Sequence, residues 1–129
     1  MMKRKFHILA IDDSATNNML LEAVLKDEGY SIDTLGASKN AIQTINKKTP
    51  DLILLDIMMP GIDGIKILEY LQSNEETKDI PVIIISARTD NETIRKAEKF
   101  RIKKYIKKPI DLSLLTREVN KVFKNSENH

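Results

Sequence analysis

Four places in this 129-residue chain carry side chains whose types and spacing could do chemistry together. Two adjacent acids, Asp12-Asp13, follow the apolar run 6–11. A third, Asp56, follows the apolar run 52–55. Ser86-Ala87 ends the apolar run 81–85, and Lys108-Pro109 follows the short segment Tyr105-Ile106. Three carboxylates in a small space push one another's pKa up unless a cation neutralises them. The chain has no cysteine, and neither histidine belongs to the set, which argues against zinc or copper. Magnesium fits: it takes one or two carboxylates, keeps waters and recruits phosphate oxygens. The Ser86 hydroxyl and the Lys108 ammonium complete a site for a phosphoryl group. Together these groups point to phosphoryl transfer onto an aspartate, in which the protein mainly positions groups and neutralises charge. Taken singly, each has a plainer reading: a solvated turn acid, a hydroxyl approaching a helix, one lysine of a lysine-rich stretch, a half-packed tyrosine. Their coincidence at four segment ends is what favours a site.

The elements that must position these groups follow from apolar periodicity. Strands are expected at 6–11, 31–35 (weakly), 51–56 and 81–86, with a short one around Tyr105-Ile106. The third and fourth are apolar without interruption, which implies cover on both faces. Ser14 is expected to cap a helix running to about Glu28, with Leu20, Leu21, Val24 and Leu25 at helical spacing and Gly29 ending it. Ser38 is expected to cap a second helix carrying Ala41, Ile42 and Ile45, stopped by Pro50. The turn cluster 59–64 leads into a third helix with Ile65, Leu68 and Leu71 inward. A fourth runs from about Asn91 to Phe100, with Ile94 and Ala97 inward. Asp111 caps the last, with Leu115, Val119, Val122 and Phe123 inward and Ile110 at the place of a hydrophobic staple. A polar tail is expected from Lys124. Strands alternating with helices make an α/β domain with a parallel sheet and right-handed crossovers. In such sheets ligands bind at the carboxyl ends of the strands, where the four candidate groups lie.

With these residues in place, the chain resembles the receiver domain of two-component response regulators. The resemblance rests on Asp12-Asp13, on the run 56–64, on Ser86-Ala87 and on the run 105–109, and covers about residues 6–123. It implies a flavodoxin-like (βα)5 fold, a five-stranded parallel sheet of order 2-1-3-4-5. It implies Asp56 as phosphoacceptor, served by a histidine kinase or a histidine phosphotransfer protein. Asp12, Asp13, Asp56 and the backbone carbonyl of Met58 would hold Mg2+ (or Mn2+). Ser86, Ala87 and Lys108 would bind the phosphoryl group, and Ser86 with Tyr105 would form the switch. A cis peptide is expected before Pro109. The activity implied is a signalling switch that catalyses only its own phosphorylation and slow dephosphorylation, rather than an enzyme with a separate substrate.

This chain departs from the family pattern at Arg101, where a glycine is usual, and at Lys103 and Lys104, where acids are usual. Arg101 must accept a left-handed conformation or reshape its turn. Met58 and Arg88 could hinder an attacking water, so slow self-dephosphorylation is expected. The formal net charge is only +2, yet nine basic residues and three acids lie between Arg88 and Lys108. The face made by the fourth helix, fifth strand and fifth helix should therefore be basic and self-repelling. A monomer is expected, with an acidic protein partner for this face. No helix-turn-helix or basic–aromatic interleaving suggests direct nucleic-acid binding.

The length suits one domain, 1–129, with a core at about 6–123. The apolar runs are too short to span a bilayer and no signal-peptide pattern appears, so a cytoplasmic protein is expected. A phosphatase with an Asp-x-Asp nucleophile motif is disfavoured, because Met58 stands at the second acid's place. A flavin mononucleotide carrier would need a phosphate loop where Asp12-Asp13 stand. A non-phosphorylated pseudo-receiver, or a receiver cut from a hybrid kinase or multidomain regulator, stays open beside the stand-alone switch.

Overall fold

Strands and helices alternate strictly along the chain: β1 (His7–Ile11), α1 (Ala15–Asp27), β2 (Ser31–Leu35), α2 (Ala41–Lys48), β3 (Leu52–Leu55), α3 (Gly64–Ser73), β4 (Val82–Ser86), α4 (Asn91–Glu98), β5 (Lys104–Lys107) and α5 (Leu112–Glu127). The computed structural model describes residues 5–37, 39–59 and 64–127. The strands form one parallel sheet of order β2-β1-β3-β4-β5, the expected doubly wound arrangement.

The apolar strands divide their side chains by simple alternation. Leu52 and Leu54 of β3, with Ile8, Ala10, Ile83 and Ile85, meet α1 and α5 through Leu21, Leu25, Leu115 and Val119. Ile53 and Leu55, with Leu9, Ile11, Val82 and Ile84, meet α2, α3 and α4 on the other face. All four β3 residues are buried, so each contributes on the order of 1.5–3 kcal/mol of apolar burial. On the first face Phe123 stacks on Phe6, with ring centroids 4.2 Å apart. Tyr30 bonds Asn120 through its hydroxyl, joining the β2 entrance to α5.

Several local expectations hold. The Ser14 hydroxyl accepts from Asn17 N–H at the start of α1, and the Asp111 carboxylate accepts from Leu114 N–H at the start of α5. Lys108-Pro109 is a cis peptide, and Arg101 adopts a left-handed φ of 56°. Others need correction. On α1 the buried face is Asn18, Leu21 and Leu25, while Leu20 is exposed. The cap position of α2 is Asn40, left-handed and with no side-chain cap bond; Ser38 lies outside the described residues. Ile42 and Ile65 are only partly buried, and Ile67 takes a core place beside Leu68 and Leu71. The fourth helix stops at Glu98 rather than Phe100, with Ala97 buried and Ile94 only partly so. The last helix continues past Lys124 to Glu127. Of the turn cluster, residues 60–63 lie outside the described residues. Its last member, Gly64, is fixed by space: a Cβ there would stand 2.4 Å from the Ile57 Cα. That close approach sets the start of α3 against Ile57, just past the end of β3.

Candidate functional site

The sheet register assembles the site. Ile11 pairs with Leu55 in the β1–β3 ladder, so the next residues, Asp12 and Asp56, leave the sheet side by side. Backbone bonds hold that edge: Asp56 N–H donates to Ile11 O at 2.9 Å, and Asp12 N–H donates to Leu35 O at 3.0 Å. Ser86 pairs with Lys107 at the end of β4–β5, and Lys108 N–H donates to Ser86 O at 2.9 Å. Four strand ends thereby meet at one edge.

Asp12 and Asp56 are both 3% exposed. Lys108 Nζ donates to Asp56 Oδ2 at 2.9 Å and to Asp12 Oδ1 at 3.2 Å. Two buried carboxylates therefore share one ammonium. Burial draws Lys108 toward its neutral form, but the hydrogen bonds and charges of Asp56 and Asp12 together outweigh it, and its pKa is raised. The other Asp56 oxygen, Oδ1, accepts from Met58 N–H at 2.8 Å. Asp12 Oδ1 also accepts from Ser14 N–H at 2.9 Å. Asp12 Oδ2 lies 3.0 Å from Lys108 Nζ, yet it is buried without a hydrogen bond of proper geometry. Asp13 is exposed, and carboxylate oxygens of Asp12, Asp13 and Asp56 lie within 4.8 Å of one another. An all-oxygen donor set with one orphaned buried oxygen fits a hard divalent cation that keeps some of its waters.

Across the site, Ser86 is fully buried and its hydroxyl accepts from Arg88 N–H at 3.1 Å. The Tyr105 hydroxyl donates to Arg88 O at 2.7 Å. Burial pushes the Tyr105 phenol up, against a smaller opposing pull from the Ser86 hydroxyl. The Arg88 side chain pairs with Asp90, Nε to Oδ1 at 2.7 Å. Asp90 in turn accepts from Thr93 N–H at 3.0 Å and so caps α4. The Arg88 hydrogen bond, then those from Thr93, hold the Asp90 carboxyl well below the usual carboxylate range. Ala87 is exposed beside this loop.

The candidate site residues Asp12, Asp13, Asp56, Ser86, Ala87, Tyr105 and Lys108 thus lie on or beside this edge, with Met58 meeting Asp56 through its backbone. Two others, Asn18 and Asp90, escaped the sequence reading, and Arg88 stood out there for its side chain rather than its backbone. Asn18 is buried, and its Nδ2 donates to Asp12 O at 2.8 Å, steadying the β1–α1 loop. A signal existed, since Asn18 lies three and seven residues before Leu21 and Leu25, on the same helical face. Arg88 acts through its peptide atoms, which no pattern of side chains reveals. Asp90 could have been read as a cap three residues before Thr93.

Residues 8–120 match the response regulator receiver domain family. Response regulator PleD of Caulobacter vibrioides is 41% identical over 80 residues, 62% of this chain and 18% of PleD, so the chain spans only a small part of that relative. Protein PilH of Pseudomonas aeruginosa is 33% identical over 116 residues, covering 89% of this chain and 95% of PilH. The solved signal receiver domain from Vibrio parahaemolyticus has a TM-score of 0.88 at 26% identity, covering 96% of this chain and 94% of that one. No helix among the described residues is long and apolar enough to cross a membrane. With a match that runs from β1 into α5 and an edge that gathers acids, hydroxyl and lysine, the chain belongs to the response regulator receiver domain family of two-component signalling.

Proposed function

We propose that this receiver is a phosphoacceptor switch in which Asp56 takes a phosphoryl group from a phosphohistidine of a kinase or phosphotransfer protein. The observation that carries this reading is the buried Asp56 carboxylate, held by Met58 N–H on one oxygen and Lys108 on the other. These two contacts fix the plane of the nucleophile, so an oxygen can be aimed in line with the leaving nitrogen. As the new P–O bond forms, the P–N bond breaks, and its electron pair stays on the imidazole, which takes up a proton. Lys108 is placed to follow the charge from the carboxylate onto the phosphoryl oxygens. Asp12, Asp13, Asp56 and the Met58 carbonyl would hold Mg2+ or Mn2+, which when bound neutralises the carboxylates and phosphoryl oxygens. Ser86 would turn its hydroxyl to the phosphoryl group, with Ala87 beside it. Tyr105 would leave the Arg88 carbonyl and turn inward.

The signal would pass to another protein through the face of α4, β5 and α5. Lys103, Lys104 and Lys107 are exposed there, and charge complementarity favours an acidic partner. The chain is proposed to work in the cytoplasm as one domain, without binding nucleic acid or membrane.

Incubation with a small phosphoryl donor tests the reading. Intact-mass measurement should show one added phosphoryl group on the wild type with magnesium and none without it. Asp56→Asn should abolish the gain. A wild type that gains no mass under either condition sinks the proposal.

A further inference from the structure

The α4 helix is anchored thinly. Among its described residues only Ala97, a small side chain, is buried. Between α4 and α3 lies a cleft of about 510 Å3 beside the phosphoacceptor edge. Ile57, Met58 and Phe100 give it an apolar floor, and Lys66, Lys96 and Lys99 line its rim with Arg88. Among the described residues Glu69 is the one acid lining it. Met58 is 47% exposed, an apolar side chain left in water. Among the described residues, neither Lys66 nor Lys99 has a carboxylate within ion-pair distance, and Lys96 meets Glu92 only at 3.5 Å. The two flanks of α4 are separate. Thr93, Lys96 and Phe100 recur at helical spacing on the cleft side of Ala97, while Ile94 and Glu98 lie on the β5 side.

We propose that this cleft is a docking site for an acidic segment of a partner protein that carries one apolar side chain. The apolar side chain would cover Ile57, Met58 and Phe100, and the flanking carboxylates would meet Lys66, Lys96 and Lys99. The occupant follows from the charge: among the described lining residues Lys66 and Lys99, with the loosely paired Lys96, outweigh Glu69, so they repel a cationic segment and reward an anionic one. The site is distinct from the β5 face. It also touches both loops that hold the reactive atoms, because Met58 N–H bonds Asp56 and Arg88 N–H bonds Ser86. Any effect of docking on phosphorylation would then be matched by an equal effect of phosphorylation on docking. That coupling rests on the phosphoacceptor reading, whereas the docking itself does not.

The test is a titration of the unphosphorylated, 15N-labelled chain with a short peptide of glutamates around a single phenylalanine. Amide shifts are expected to gather at Ile57, Met58, Lys66, Lys99 and Phe100. The double variant Lys66→Glu, Lys99→Glu should keep a dispersed spectrum and bind about tenfold more weakly. A peptide of lysines around the same phenylalanine should not bind. No shifts at these residues, shifts confined to Lys103, Lys104 and Lys107, or unchanged affinity in the double variant would each overturn the proposal. Since no phosphoryl group is involved, a failure of Asp56 to accept one leaves this result unaffected.

Discussion

Met58 and Arg88 are the residues that make this site individual. The Met58 backbone holds Asp56 Oδ1, but its side chain brings no hydrogen-bonding group to a water that would attack the phosphoryl group. A carboxamide there could orient that water. Met58→Asn is therefore expected to speed decay of the phosphorylated chain by about tenfold, as positioning effects commonly do. Following loss of the phosphoryl mass after donor removal reads the rate, and an unchanged rate would remove Met58 from the account. At this scale much was legible beforehand. Asp12, Asp13, Asp56, Ser86 and Lys108 stand out because each ends a readable apolar run. Arg88 stands out in the sequence for its charge and for its place near an attacking water, while its peptide N–H and carbonyl do the holding. Backbone hydrogen bonds of a loop depend on where distant strands end, and no local residue pattern encodes that.

Among the elements, strands were easier to read than helix ends. Unbroken runs such as 52–55 and 82–85, short and rich in Leu, Ile and Val, read as doubly covered strands, and both are buried throughout. The start of α2 was not legible, because Asn40 takes a left-handed turn there without a cap bond. The turn after α4 tests the cost of such geometry. Arg101 has a φ of 56°, and a left-handed L-residue costs about 1–2 kcal/mol. Glycine relieves this but gains freedom in the unfolded chain, which returns part of it. Arg101→Gly should stabilise the fold by about 0.5–1 kcal/mol, seen as a higher urea midpoint at unchanged slope. A second test joins β1, β2 and α2. His7 Nε2 lies 2.8 Å from Asp33 Oδ2, with Lys48 at 3.5 Å. The His7 hydrogen bond, against some desolvation and with help from Lys48, lowers the Asp33 pKa. A depressed carboxylate adds stability that is full above its unfolded value and is lost as pH falls through the folded one. Asp33 is half exposed, so the effect is discounted to about 0.5 kcal/mol. Asp33→Asn should melt slightly lower than wild type near neutral pH, and the two should converge as pH falls through the lowered Asp33 pKa. Equal melting at all pH values would mean the contact adds nothing.

The whole molecule separates its charge. The segment from Arg88 to Lys108 is strongly basic and the remainder is acidic in balance, and every basic residue of that segment except Lys108 is exposed. Two copies meeting through α4, β5 and α5 would bring like charges together, which costs more the closer they approach. Sedimentation before and after phosphorylation should therefore report a monomer, and a symmetric dimer through that face would refute this. The same region holds the Arg88 linkage, and its consequence reaches beyond geometry. Ser86 is tied to one side of a single residue and Tyr105 to the other, while its side chain reaches the cap of α4. Releasing any one of these ties removes support from the other two. In the proposed switch, a population of such molecules would answer a rising stimulus by changing the proportion of on and off copies, with few caught halfway. Its output would then be digital in each molecule and analogue only in the crowd.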